Sequence, residues 1–301
     1  MSAVSTTSLG KRFRAKWALQ DCSFELAEGH ICGLIGSNGA GKTTLLRLIA
    51  GLAQPSSGTV DVFGKQPGDT NEFLADVGFL AQEVPLYRRW TSEDHLALGA
   101  HLNPRWDERL TRDRISSLGI PLDQRVGTLS GGQRAQVALA MALGKRPRLL
   151  LLDEPVAALD PLARRDFLRV LAQAVAEGDL TVILSSHLVG DLERICDHLV
   201  LIDSGRVALA ADLDDVLATH RLLTAPRRST ETLERDHTVL RIERTHRQIS
   251  AWVRLEGPLV EPGWDVEELG LEDIALAYMG RGRGSTESKS GRVASMTGAA
   301  G

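Results

Sequence analysis

Short apolar runs separated by glycine-marked turns and helical stretches make up this 301-residue chain as far as about residue 215. Runs of roughly four to eight apolar and β-branched residues bounded by turn residues are typical of strands. The strands predicted in this way are residues 23–26, 30–35, 59–64, 77–82, 149–153, 181–186, 198–203 and 206–210. Because these strands alternate with helical segments, the pattern predicts an α/β fold.

Two of the runs lack the polar alternation of a half-exposed strand. Residues 149–153 read LLLLD and residues 181–186 read TVILSS. Strands of this kind are buried on both faces, as in the parallel central sheet of an α/β protein. Residues 83–148 have a helical pattern with few β-branched runs instead. We therefore expect one domain over residues 1–215 that carries a helical subdomain at about 83–148.

The pattern changes again after residue 215. The segments that indicate local structure are a helix at 214–220, a loop at 224–230, strands within 237–244 and 248–257, and an amphipathic helix at 271–280. These elements predict a small C-terminal α+β region over residues 216–280. Residues 281–301 are rich in Gly, Ser, Arg and Ala without periodicity, and we expect a disordered tail there.

Residues 36–44 read GSNGAGKTT and fit the phosphate-binding pattern G-x-x-x-x-G-K-[ST] between a strand and a helix. Glycines let such a loop wrap so that backbone N–H groups face phosphate oxygens, and the following helix adds its positive N-terminal end. We expect Lys42 to reach the β- and γ-phosphates and the Thr43 hydroxyl to bind Mg²⁺. The other residues expected to contact the nucleotide are Gly36, Ser37, Asn38, Gly39, Ala40, Gly41 and Thr44.

An acidic pair follows the most apolar strand, in the sequence LLLLDEP. A phosphate-binding loop needs an acidic partner to hold the metal ion and to activate water. We expect Asp153 to bind Mg²⁺ directly or through its water shell. Glu154, one residue further, is expected to orient and polarise the attacking water.

A second anion-binding pattern, LSGGQ at residues 129–133, precedes an amphipathic helix that leads to the acidic strand. A helix start that carries Ser130, Gly131, Gly132 and Gln133 offers hydroxyl and backbone N–H donors to phosphate. One nucleotide does not need two such surfaces from the same chain. The pattern therefore favours two chains packed head to tail, although an ordinary capped helix is the alternative.

Composition narrows the class of protein only slightly. The formal net charge of −4 gives no electrostatic reason to expect nucleic acid as the main partner. The three cysteines are far apart and form no metal-binding spacing. No segment reaches the roughly 18 apolar residues that span a bilayer, and the N-terminus has no apolar signal core. We expect a cytoplasmic protein that reaches a membrane only through a partner.

The motifs together resemble the ATP-binding subunits of ATP-binding cassette (ABC) transporters over about residues 4–215. The resemblance implies a P-loop NTPase fold, with a RecA-like core of mainly parallel sheet, an antiparallel β edge and a helical subdomain. It implies that Gln82 contacts Mg²⁺ or the attacking water, that Asp160 in AALDP faces a partner subunit, and that His187 contacts the γ-phosphate. It also implies an aromatic ring on adenine, for which Phe13 and the nearby Trp17 compete.

Within this family the chain most resembles the stand-alone ATPases of bacterial exporters. That resemblance implies ATP and Mg²⁺ as ligands, a second cassette (identical or not), and a separate permease of the ABC-2 type. It places the protein on the inner face of the plasma membrane. Residues 83–96 resemble the segment that such ATPases present to the permease, and a solvent-facing loop and helix start is the alternative. An importer ATPase, a soluble ABC ATPase that acts on nucleic acid or in translation, and a switch module without useful hydrolysis are the alternatives.

Overall fold

The computed structural model describes residues 1–68, 70–178, 180–260 and 262–280. They fall into two compact units, Met1–Val216 and a second unit that begins at Leu217. The predicted tail at 281–301 lies outside the described residues. Within the described ranges, no helix is both long and apolar enough to cross a membrane.

Among its described residues, the first unit contains nine strands and most of the helices, whose bounds follow. The strands are β1 (Ser2–Phe13), β2 (Lys16–Ala27), β3 (Ile31–Ile35), β4 (Ser57–Val62), β5 (Val77–Leu80), β6 (Leu149–Asp153), β7 (Thr181–Ser186), β8 (His198–Asp203) and β9 (Arg206–Asp212). The helices are α1 (Lys42–Ile49), α2 (Asn71–Asp76), α3 (Ser92–Leu102), α4 (Glu108–Ser117), α5 (Gly131–Gly144), α6 (Pro161–Ala176) and α7 (Val189–Leu192). Helix α8 (Leu213–Thr219) runs across the boundary between the two units.

A six-stranded sheet forms the centre of the first unit, in the order β5-β6-β7-β3-β8-β9. All neighbouring pairs are parallel except β8 with β9, which is the antiparallel edge. Strands β3, β6 and β7 are buried along their whole length. The apolar runs without alternation thus form the middle of the sheet, as predicted, and their carboxyl ends meet at one edge.

An antiparallel sheet of order β2-β1-β4 covers the core next to helix α1. Its central strand, β1, was not predicted, because the sequence SAVSTTSLGKRF is mostly polar. Ala3, Val4, Thr6 and Leu9 of this strand are nevertheless buried. The strand is held by pairing on both sides, so its hydrogen bonds and one buried face replace the missing apolar run.

The predicted helical region contains α3, α4 and α5, which pack around a small apolar core of their own. Its buried members are Leu96, Ile115, Ile120, Val126, Leu129, Val137 and Ala140. Each of the three helices begins with a side-chain cap, Thr91 for α3, Asp107 for α4 and Ser130 for α5. These caps satisfy N–H groups that would otherwise lack partners at the helix starts.

The second unit is a four-stranded antiparallel sheet of order β11-β12-β10-β13 with two further helices. Its elements are β10 (His220–Pro226), α9 (Glu231–Asp236), β11 (Thr238–Arg244), β12 (Gln248–Arg254), β13 (Asp265–Glu268) and α10 (Leu271–Gly280). The predicted loop at 224–230 was wrong in its first part, because residues 224–226 pair with β12. Strand β13 was missed because its four residues are exposed and three are acidic.

Candidate active site

The glycine-rich loop lies between the carboxyl end of β3 and the start of α1. A Cβ atom at Gly36 would lie 2.5 Å from the carbonyl oxygen of Ile202, and Gly41 has a φ of 116°, so both positions require glycine. The turn is closed by hydrogen bonds from Ala40 N to Ser37 O and from Gly205 N to Ala40 O, both of 3.0 Å. Residues 37–39 are exposed and Thr44 is half-buried.

The start of α1 is available to an anion. Gly41 caps it without a side chain, and the first turn contains no acidic residue. The N–H groups of the first turn therefore keep their partial positive charge. The loop and the helix start together present the cradle that the sequence predicted.

Lys42, Glu154 and His187 form a chain of charged contacts beside this loop. Lys42 Nζ donates to Gly36 O at 2.7 Å and lies 3.3 Å from Glu154 Oε1. The other oxygen of that carboxylate, Glu154 Oε2, accepts from His187 Nδ1 at 2.7 Å. Lys42 and Glu154 are about nine-tenths buried, whereas His187 is half-exposed. Glu154 therefore contacts both of the other predicted residues, at the edge where β3, β6 and β7 end.

Thr43 and Asp153 meet next to this chain. The Thr43 hydroxyl donates to Asp153 Oδ1 at 3.1 Å. The hydroxyl of Ser185, which is fully buried, donates to the same oxygen at 3.0 Å and accepts from Glu154 N at 2.9 Å. Ser185 thus joins the two acidic residues, and the sequence analysis missed this role. The signal that could have found it is a polar residue at the end of a strand that parallels the acidic one.

The backbone of Glu154 explains how both acidic side chains reach the loop. Side chains of consecutive strand residues point to opposite faces. Glu154, however, has a φ of 51°, a left-handed conformation that is uncommon outside glycine. Because β6 ends at Asp153 and the chain turns there, Asp153 contacts Thr43 while Glu154 contacts Lys42.

Oxygen donors at this site fit magnesium. Mg²⁺ is bound in many phosphate sites by one or two protein oxygens together with waters and substrate oxygens. Thr43 Oγ1 and Asp153 Oδ1 are close enough, at 3.1 Å, to be neighbouring ligands of one ion. Among the described residues no group of three or more His, Cys, Asp and Glu side chains forms a metal site.

The predicted serine-capped helix is confirmed as local structure. Ser130 Oγ accepts from Gln133 N at 3.1 Å, and Gln133 Oε1 accepts from Ser130 N at 3.0 Å, which is a capping box. Ser130 and Gly131 are exposed at the helix start. Ser130 has its side-chain contacts with Gln133 rather than with the glycine-rich loop, so the second anion surface faces outward.

Asp160 and Gln82 lie outside the cluster around Lys42. Asp160 caps α6, and its Oδ1 accepts from Leu162 N and Ala163 N, each at 3.0 Å. Gln82 is exposed, two residues beyond the end of β5. The predicted strand at 77–82 is therefore two residues too long. Both side chains are accessible to a partner chain or ligand.

Two exposed aromatic rings stand on the β1–β2 hairpin beside the loop. Phe13 is 55% and Trp17 is 39% exposed, and each has a cationic side chain over its ring, Lys11 and Arg12 respectively. A Cβ atom at Gly41 would lie 2.7 Å from the carbonyl oxygen of Ala18, the residue after Trp17. The hairpin thus borders the nucleotide cradle, and both rings remain candidates for the adenine contact.

Comparison with known proteins agrees with this geometry. The family described as ABC transporter matches residues 19–157. The phosphonates import ATP-binding protein PhnC 1 of Natronomonas pharaonis is 37% identical over 72% of this chain and 99% of its own length. The molybdenum import ATP-binding protein ModC of Thiobacillus denitrificans is 36% identical over 72% of this chain, which spans 63% of that protein.

The fold matches solved structures of the same family. The structure of a bacterial Atm1-family ABC exporter with ATP bound superposes with a TM-score of 0.63 and 27% identity, over 72% of this chain and 40% of that one. The fold, the phosphate loop with its acidic partners, and the relatives all indicate the same family. The chain belongs to the ABC transporter family, as an ATP-binding subunit with ATPase activity that powers transport.

Proposed function

We propose that the chain binds ATP with Mg²⁺ at the cluster around Lys42 and hydrolyses it with Glu154 as the general base. The proposal rests on the position of Glu154, whose carboxylate lies 3.3 Å from Lys42 and 2.7 Å from His187. A base needs an orienting partner and must lie within hydrogen-bond reach of the reacting groups. His187 provides the orientation, and Lys42 holds the phosphates beside the base.

The remaining residues have roles that follow from their positions. Gly36 to Thr44 and the start of α1 bind the phosphates through N–H groups. Thr43 and Asp153 hold Mg²⁺, which neutralises charge on the transferred phosphoryl group when bound. Gln82 reaches the metal ion or the water from outside the cluster. Phosphoryl transfer depends mainly on such positioning and on electrostatic stabilisation.

A second copy of the fold completes the site in this proposal. Ser130 and Gly131 are exposed at the start of α5, with the half-buried Gly132 next to them, and Asp160 is exposed at the start of α6. These groups are suited to the γ-phosphate held by a facing subunit. Two subunits packed head to tail give each ATP one glycine-rich loop and one serine-capped helix.

Replacement of Glu154 by glutamine tests the proposed base. The amide keeps the size of the side chain but cannot accept a proton, so ATP hydrolysis should fall by about 10²–10⁴-fold. Binding of ATP should persist, and an ATP-bound dimer should accumulate on size-exclusion chromatography. The measurement is the release of phosphate under saturating ATP, together with nucleotide binding.

A matched control is Glu193→Gln, an exposed glutamate on the chain just after α7. It should hydrolyse ATP at the rate of the unchanged protein. Normal turnover in Glu154→Gln would remove the general base from the proposal. Loss of nucleotide binding in Glu154→Gln would show that the carboxylate serves binding rather than catalysis.

The direction of transport favoured by the relatives is import. PhnC 1 and ModC are both named as import proteins, and PhnC 1 matches over nearly its whole length. These names give no support to the expected export direction or to an ABC-2-type permease. Export remains the second candidate, because the cassette of an ABC exporter has the same fold.

The partners proposed for this chain rest on the family to which it belongs. We propose a separate membrane permease that places the chain on the inner face of the membrane. The expected contact segment, 83–96, carries two exposed aromatic rings, Tyr87 and Trp90, with ring centroids 4.8 Å apart. Exposed aromatic side chains of this kind are typical anchors of protein interfaces.

Transport in vesicles tests the direction. The permease that copurifies with the chain from detergent-solubilised membranes is reconstituted so that the ATPase faces the medium. An importer then moves solute from the lumen to the medium when ATP is added, and an exporter moves it inward. Phosphonate and molybdate are the first solutes to try, and the Glu154→Gln complex is the control without hydrolysis.

A further inference from the structure

A cavity of about 280 Å³ lies against the serine-capped helix, and none of its lining residues belongs to the glycine-rich loop. It is enclosed by α4, α5 and α6 of the first unit. Its polar lining residues are Arg114, Ser117, Gln136, Arg169 and Gln173. Two of these are arginines and none is acidic, so the lining has a formal charge of +2 in a chain of net charge −4.

The inner wall of this cavity contains a buried donor without an acceptor. Gln136 is 6% exposed, and its Nε2 has no hydrogen-bond partner among the described residues. Buried amide groups are nearly always hydrogen-bonded, and leaving one unsatisfied destabilises the fold. The position of this amide on the wall of a polar cavity indicates that an acceptor from outside the chain belongs there.

A second unsatisfied donor lies on the same wall. Arg114 is largely buried, and its Nε has no hydrogen-bond partner in the part of the chain that the structure describes. Its nearest carboxylate, Glu177, is 3.8 Å away and mostly exposed. Arg169, at the mouth of the cavity, also has a carboxylate nearby, and its Nη2 lies 3.7 Å from Asp166 Oδ1. These distances are longer than hydrogen bonds, so the two guanidinium groups keep donors for another acceptor.

We propose that this cavity is a binding site for a small oxyanion of phosphate size. An oxyanion offers several acceptors at once, and arginine forms charge-assisted, often bidentate, hydrogen bonds with such groups. Arg114 and Gln136 hold the ion from the inner wall, and Arg169, with Gln173, holds it at the mouth. A bound ion would connect the helical subdomain with α6, the helix that Asp160 caps.

Titration with inorganic phosphate tests the site in the full chain. The glycine-rich loop is first saturated with a non-hydrolysable ATP analogue and Mg²⁺, because that loop also binds phosphate. Calorimetric titration with potassium phosphate is then compared with potassium chloride at equal ionic strength. We expect one phosphate site in the unchanged protein, and an affinity about tenfold weaker in Arg114→Gln and in Arg169→Gln.

Control variants separate this site from a general charge effect. Arg109 is on the same helix as Arg114 but is 93% exposed, so Arg109→Gln should bind phosphate normally. Arg169→Gln is a safe second variant, since Arg169 is mostly exposed and its loss should not affect folding. Gln136→Leu should weaken phosphate binding and raise the melting temperature of the phosphate-free protein, because it removes the unsatisfied amide.

The proposal fails if the unchanged protein binds no phosphate under these conditions. It also fails if Arg169→Gln and Arg114→Gln bind phosphate as Arg109→Gln does. Either result would mean that water alone satisfies Gln136 and Arg114. Neither result bears on ATP hydrolysis, which Glu154→Gln tests separately.

Discussion

The hydroxyl of Ser185 is the residue-scale link between the two acidic side chains of the site. It donates to Asp153 and accepts from the backbone N–H of Glu154. Partners behind a metal ligand orient that ligand, and their loss typically costs about 10–100-fold in metal affinity or activity. Ser185 is therefore a positioning residue for the proposed Mg²⁺ site.

Ser185→Ala should raise the Mg²⁺ concentration needed for half-maximal ATP hydrolysis by about tenfold. It should also lower the free energy of unfolding by about 1–3 kcal/mol, because Glu154 N loses its acceptor. The control is Ser186→Ala. The buried hydroxyl that it removes accepts from Leu188 N and contacts neither carboxylate. Equal Mg²⁺ dependence in the two variants would contradict the positioning role.

Sequence motifs predicted the phosphate-loop residues and the acidic residues of the site, but not the geometry in which they meet. Lys42, Thr43, Asp153 and Glu154 follow from motifs whose spacing reflects a strand, a loop and a helix. Ser185 does not, because one serine at the end of an apolar strand has no periodic signal. The positive φ of Glu154 was also unforeseen, since the turn is imposed by tertiary contacts rather than by a glycine.

At the scale of elements, Asp107 links the start of α4 to the chain after α5. The backbone N–H of Leu110 and then the guanidinium group of Arg146 lower the pKa of Asp107 below its ordinary value of 3.8. A carboxyl whose pKa is depressed on folding stabilises the fold fully above its ordinary pKa. That contribution is lost as the pH falls through the lower pKa of the folded state.

Asp107→Asn should therefore lower the melting temperature at neutral pH, and the difference from the unchanged protein should shrink below about pH 4. Asparagine still caps a helix, so the variant removes the charge and keeps the cap. Melting curves between pH 7 and pH 2.5 measure this. The control, Asp113→Asn, changes an exposed aspartate on the same helix, and a similar pH dependence there would contradict the assignment.

Arg164 joins α6 to the short helix that follows His187. Its Nη1 lies 3.4 Å from Asp191 Oδ2, and its Nη2 donates to the carbonyl oxygen of Leu159 at 3.3 Å. Both charged side chains are about four-fifths buried. Arg164 thus links Leu159, the residue before Asp160, to Asp191 in α7, four residues after His187.

Arg164→Met should reduce kcat for ATP hydrolysis more than it changes KM, and should lower the free energy of unfolding by about 1–3 kcal/mol. Adding Asp191→Asn should recover part of the stability, because it removes the charge left without a partner. The exposed Arg165→Met serves as the matched control. An unchanged kcat in Arg164→Met would show that the pair is only structural.

Elements were predictable where their local pattern and their environment agree. The buried parallel strands were found because both faces are apolar. Strand β1 was missed because it is stabilised by two neighbouring strands rather than by its own apolar residues. Strand β10 was missed as a whole, because the sequence pattern continues helically through His220 and residues 224–226 look like a loop, whereas in the structure the strand pairs with β12.

At the scale of the whole molecule, the proposed head-to-tail arrangement predicts that two inactive variants restore each other. Lys42→Ala disables the loop of a chain, and Ser130→Phe disables its capped helix. In a mixed dimer one site contains both defects and the other contains neither. Each mixed dimer should therefore have about half the ATPase activity of an unchanged dimer.

Measurement of ATP hydrolysis against the mixing ratio checks this expectation. The two variants alone should both be nearly inactive, and a mixture of Lys42→Ala with Lys42→Ala/Ser130→Phe is the control that should stay so. If the first mixture also stays inactive while the chains still associate, each site belongs to one chain. The proposed shared site would then be wrong.

The close approach of α5 and α6 has a consequence for such an assembly. A Cβ atom at Gly132 would lie 2.8 Å from the Cβ atom of Ala163, so the two helix starts touch without room for another methyl group. Ser130 and Asp160 therefore sit on one rigid corner rather than on two independent surfaces. A second copy of the chain that shifts either residue therefore shifts both. The rest of the subunit then responds to one joint movement of the two helix starts.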